Sequence, residues 1–306
     1  MNCYGCYKPD VPGYCVSCRK NVWDGARVSA ILPFDLPSGD GGGAIYDVQL
    51  TKNGLSPADR AGEYRLKRSA GSANEHLTMQ IAGRVFGIRT VPNVLMVLRD
   101  GAYAYISRDG QQRGRPLITA ACCDETGQVI RKYVAAYPPA LEAYFQVVLF
   151  NYLISNEATG TSHFSLMQTA MGDHILSPCY GLSNTGLGSG PEAATGTGPR
   201  LYKGCEMSAF FMQYGFYGLS DFRVLADMLG LVPARRDRII ARLLSAKEDV
   251  LALIRQSFLH GEAKKKYASI YLSRLERMGL SLAPTVVARP RVVVIYPFNR
   301  EERLPE

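Results

Sequence analysis

The sequence contains no run of about 18 or more apolar residues, so no segment reads as a membrane span. No secretory leader is expected either. The opening Met1-Asn2-Cys3-Tyr4-Gly5-Cys6 offers neither an apolar core nor a small-residue cleavage site, and the expected location is the cytoplasm. No Gly-x-Ser-x-Gly occurs, and no Ser/His/Asp set of the hydrolase kind stands out. The stretch from Gly186 to Gly198 is rich in glycine but lacks the lysine and the strand-to-helix setting of a phosphate-binding P-loop; it reads as a long loop. Internal repeats are absent, which excludes a solenoid or propeller.

What is present fits a globular chain with a sizeable core: 306 residues, 47% of them hydrophobic. The formal charge is +8, and it is concentrated. Residues 233–278 hold eleven Lys/Arg against five Asp/Glu, a balance of +6 that reads as a solvated helix face or as a surface for nucleic acid or an acidic partner. Of the eight cysteines, four fall in the first eighteen residues as Cys3-x2-Cys6 and Cys15-x2-Cys18. Two such knuckles aim four thiolates at one ion. In a chain without an export signal this predicts a closed, structural zinc site rather than disulfides.

The chain organisation reads as a cysteine module over residues 1–22, a smaller mixed region over 23–112 and a larger helical region over 113–306. Gly62 to Lys67 alternates apolar and polar residues, as a half-buried strand does. Asn74 is expected to cap a helix running to Phe86. Asp100-Gly101 predicts a hairpin between Val91–Leu98 and Ala102–Ile106. A second hairpin is expected around Gly172-Asp173. Leu141 to Ile154 predicts a buried helix. Three more follow: one opened by Ser220, one from Pro233 through Phe258, and one from Glu262 to Met278, before a last strand from Val292 to Tyr296.

Several stretches, in order, resemble the HipA family, the serine/threonine kinases of bacterial toxin–antitoxin systems. Glu63-Tyr64-Arg65-Leu66-Lys67 resembles the family's "ILKP" strand, and Asn74-Glu75-His76-Leu77-Thr78-Met79 its "NEHLTM" helix. Leu149 to Asn156 is similar to the "LFNYLIGN" lead into the catalytic loop, and Leu176-Ser177-Pro178-Cys179-Tyr180 to the "LSPAYD" metal segment. The resemblance covers about residues 44–280. It implies an α+β, two-lobed kinase-like fold, with a small mixed N-lobe and a mainly helical C-lobe behind the zinc module. It also implies that Lys67 faces nucleotide phosphates with Glu75 as its ion-pair partner.

The departures bear on activity. By the same resemblance, the catalytic aspartate falls on Ala158, the metal-binding asparagine on His163 and the metal-binding aspartate on Gly181. The phosphate loop carries Asp47 and Thr51 where the family has glycine and lysine. Phosphoryl transfer depends on positioning and on charge neutralisation by magnesium, which needs hard oxygen ligands. Together the changes imply a protein that has lost ATP- and magnesium-dependent transfer and acts by binding a protein partner, a kinase toxin or an antitoxin-like protein. An active kinase with Glu157 or Asp173 as substitute carboxylates, and a zinc-containing nucleic-acid-associated regulator, are the alternatives.

Overall fold

The computed structural model describes residues 1–36, 44–108, 115–116, 122–156, 164–188, 201–202 and 208–280. The expected strand from Val292 to Tyr296 lies outside them. Alternating burial builds the first sheet from β1 (Ala44–Thr51), β2 (Gly54–Pro57), β3 (Tyr64–Arg68), β4 (Asn93–Val97) and β5 (Tyr103–Ser107), all antiparallel in the order β2-β1-β3-β5-β4. The β4–β5 hairpin turns where expected: Gly101 takes φ 82° and the Asp100 carboxylate accepts from the Ala102 N–H. A second sheet joins β6 (Arg115–Pro116), β7 (Ser165–Gln168) and β8 (His174–Leu176).

One face of the first sheet is covered by the N-terminal residues. Helix α1 (Val16–Trp23) ends on the chain's one tryptophan, whose fully buried ring lies 4.9 Å from that of Tyr64. Leu32, Val48, Leu66, Val94, Met96 and Ile106 complete this core. Residues 21–43, rich in Gly, Pro and Asp, read as a connection, yet their described part, 21–36, contributes to this core. Leu32 N–H donates to the Val97 carbonyl and Val97 N–H to that of Ala30, so the segment docks on the edge of β4.

The other face receives α2 (Ser72–Gln80), which packs on β5 and β4. The helix starts at Ser72, not at Asn74, with Gly71 in the N-cap position. Ser72 Oγ serves the turn itself, accepting from Ser69 N–H and donating to the Lys67 carbonyl. Asn74 is thereby free for a distant partner. The stretch to Phe86 is a π-turn over Ile81–Val85. Behind α2 lie α3 (Cys123–Tyr133), the long buried α4 (Tyr137–Leu153), α5 (Ala209–Tyr214) and α6 (Leu219–Met228), followed by α7 (Pro233–Ser245), α8 (Lys247–Gln256) and α9 (Gly261–Gly279). The single helix expected from Pro233 to Phe258 is broken at Ala246 (ψ 21°). The break lets α7 pack on α4 while α8 packs on α9 and α2, which one straight rod could not do. No helix among the described residues is long and apolar enough to cross a membrane.

Candidate functional site

The cysteine quartet is built by two tight turns and the start of α1. The sulfurs of Cys3, Cys6, Cys15 and Cys18 all lie within 4.8 Å of one another, with Cys6 and Cys15 3.7 Å apart. A tetrahedral site with metal–sulfur bonds of about 2.3 Å has sulfur–sulfur edges of about 3.8 Å, so the quartet fits one ion. Backbone N–H groups of Gly5 and Cys15 point at the Cys3 sulfur, as they do toward a thiolate. Hydrogen bonds from Cys18 and Cys6 drive the Cys3 thiol far down, whereas its bond with Cys3 pushes Cys18 up. A bound cation removes this competition by holding every sulfur as thiolate. Gly5 is obligatory here: a Cβ would stand 2.6 Å from the Cys18 sulfur.

The turns also reach into the kinase-like part. Tyr7 has a left-handed backbone, φ 61°, and a fully buried ring. Its hydroxyl lies 2.7 Å from His76 Nδ1 on α2. Burial drives the His76 imidazole down to about 3, so it is neutral. Tyr14 donates to the Leu95 carbonyl at 2.7 Å, and Tyr4 stacks on Phe258 at 4.7 Å.

One residue from His76, Glu75 is almost buried and its Oε2 lies 2.8 Å from Lys67 Nζ. The pairing follows from register. Antiparallel partners share a sheet face, so Ile45 with Lys67 and Asp47 with Arg65 lie on the side toward α2, opposite the tryptophan core. Asp47 does place a carboxylate on the lysine's face. It is partly offset by Arg65, whose Nε stands 3.8 Å from Asp47 Oδ1. Sequence reading overlooked Arg65, because only the strand register makes it the cross-strand neighbour of Asp47.

The segment holding Gly181 is tied to the same helix. Asn74 Nδ2 donates to the Asn184 carbonyl at 2.9 Å, and Asn74 Oδ1 accepts from the Asn184 N–H at 3.1 Å. Upstream, Cys179 exchanges backbone hydrogen bonds with Arg89 and Val91. The end of α4 joins them: Ser155, at φ 56°, gives its carbonyl to both the N–H and the hydroxyl of Thr185. Gly181 itself takes φ 67° and carries no side chain that could ligate a metal. Ala158, His163 and Glu157 lie outside the described residues, as does most of the glycine-rich stretch. Asp173 is in the β7–β8 turn, where its carboxylate accepts from the Thr169 hydroxyl at 2.6 Å. Among the described residues the cysteine quartet is the only group of three or more His, Cys, Asp or Glu side chains close enough to share one metal ion.

No family model matches the chain, and no curated protein matches its sequence. Solved structures do. HipA, from the Shewanella oneidensis MR-1 toxin–antitoxin complex of HipA, HipB and operator DNA, superposes with a TM-score of 0.56 at 14% identity, over 80% of this chain and 66% of that one. The Helicobacter pylori proinflammatory kinase CtkA gives a TM-score of 0.46 at 10% identity, over 76% of this chain and 95% of that one. The fold is thus HipA-like: an antiparallel sheet with helices, spanning a little under two thirds of the HipA chain.

Proposed function

We propose that this protein is a HipA-like pseudokinase: two lobes around the Lys67–Glu75 pair, braced by a structural zinc, and acting by binding a protein partner rather than by transferring phosphate from ATP. The observation that carries the reading is the pairing of a kept ion pair with a lost ligand. Lys67 and Glu75 are assembled at 2.8 Å, whereas Gly181, on the segment anchored to the same helix by Asn74, offers no oxygen to magnesium. With Ala158 and His163 at the other two family positions, both metal ligands and the residue that positions the nucleophile are gone. Asp47 on the lysine's face adds repulsion toward phosphate.

A partner of the toxin–antitoxin kind is supported by the neighbour's own assembly, a complex with HipB and operator DNA. Binding of nucleic acid through residues 233–278 is less well supported. Arg235 pairs with Glu142, Arg236 with Asp227 and Asp237, and Lys265 with Glu262, so several of the cations already have acids.

The test is a radiolabelled ATP assay on the wild type beside the triple change Ala158→Asp, His163→Asn and Gly181→Asp, with ATP titrated calorimetrically with and without magnesium. The expected result is no transfer by the wild type and no gain in affinity from magnesium. Labelling of the wild type or of a co-purified substrate overturns the reading in favour of an active kinase. Gly181→Asp is a fair restoration, because aspartate is among the residues that tolerate a left-handed backbone.

A further inference from the structure

A cavity of about 640 Å³ opens beside the cysteine quartet, within the range of ligand-binding sites. Lys8, Arg19 and Arg84 line it together with Ser17 and Gln256, and no lining residue is acidic. Among the described residues none of the three cations has a carboxylate partner. Arg84 spends one N–H on the Cys6 carbonyl. Arg19 Nε is buried and has no acceptor at all. A buried guanidinium N–H without an acceptor carries a standing penalty.

The cations have one evident duty, to offset the thiolates. Four thiolates around a divalent ion carry two net negative charges. Three cations exceed that by one, so the cavity stays electropositive with the metal in place. Two forked guanidiniums beside a lysine match the oxygens of a phosphate. Gln256 places the cavity at the end of α8, next to the exposed Arg255, whose carbonyl holds the Lys264 ammonium. A backbone leaving the cavity on that side runs over further positive charge, on a chain with +8 overall.

We propose that this cavity binds a backbone phosphate of a nucleic-acid strand. The site is separate from the Lys67 cleft and does not depend on the pseudokinase reading. The experiment titrates the full-length, metal-loaded protein with a labelled single-stranded oligonucleotide over a series of salt concentrations, beside Lys8→Gln/Arg19→Gln/Arg84→Gln. Metal content and melting are followed in parallel. For single strands the slope of log affinity on log salt is about 0.7 per phosphate neutralised, so the triple change is expected to flatten it by about 0.7. Lys8→Glu alone, on an exposed loop side chain, is expected to weaken binding and to retain the metal. The control Arg238→Gln/Lys265→Gln on α7 and α9 is expected to leave the slope unchanged. Inorganic phosphate is expected to compete in the wild type only. A wild-type slope in the triple variant, with or without lost metal, reduces the three cations to counter-charges of the thiolates and overturns the proposal. So does a slope that follows the α7 and α9 changes instead, or tighter binding of an acidic peptide than of the oligonucleotide.

Discussion

The cysteine module and the Lys67–Glu75 face of the sheet are held together in different ways. In the module all four sulfurs remain within 4.8 Å, with Gly5 making room for them. At the other region Lys67 pairs with Glu75, and the segment bearing Gly181 is anchored to the same helix by the Asn74–Asn184 hydrogen bonds. The contrast separates two demands. The module's turns converge on four sulfurs, whereas the segment at Gly181 is held by hydrogen bonds to α2 and to the end of α4.

The largest effect should come from breaking the module. Cys3→Ser, or chelation of the metal, is expected to destabilise the protein by several kcal/mol, since structural thiolate sites contribute folding free energy directly. Elemental analysis should fall from about one metal per chain, and thermal melting should move in step. Retained stability without metal would erase the contrast. Next, Trp23→Ala removes the ring that joins α1 to Tyr64 and should cost about 3–5 kcal/mol in urea denaturation.

The link between the two regions can be tested by pH. His76 titrates at about 3 in the fold against an ordinary 6.5, because burial penalises its charged form. Between those values the unfolded chain binds a proton that the folded chain refuses. Its contribution is thus complete above about 6.5 and is lost as the pH falls toward 3. Urea titrations across this window should show the loss, and His76→Gln should flatten it. Tyr7→Phe, which deletes the hydroxyl facing His76, should cost about 1–2 kcal/mol and speed amide exchange along α2. Smallest in stability is Lys67→Ala. The lysine is 38% exposed, so the change should shift folding by about 1 kcal/mol or less. Any nucleotide affinity that calorimetry detects in the wild type should nevertheless disappear with it.

Much of this was legible in the chain itself. Knuckle spacing marked the cysteines, period-two alternation marked β3, and Asp100-Gly101 marked a hairpin, because each signal is local and chemical. The misreadings were non-local. Asn74 has the composition of a cap, yet its amide is used 110 residues away on Asn184. The α7–α8 region is one continuous apolar stripe in sequence. Only its two different packing partners explain the break at Ala246. Residues 21–36 look like a linker until Trp23 and Leu32 are seen in the core.

The sequence by itself determined the cysteine quartet, strand β3, the β4–β5 hairpin and the buried helix α4, since these follow from residue chemistry and short-range spacing. Only the tertiary structure decided that the cysteine module forms one wall of the sheet, that Arg65 answers Asp47 and that Tyr7 reaches His76. Those contacts are set by register and by how two faces of one sheet are covered, and neighbouring residues along a chain carry no record of either.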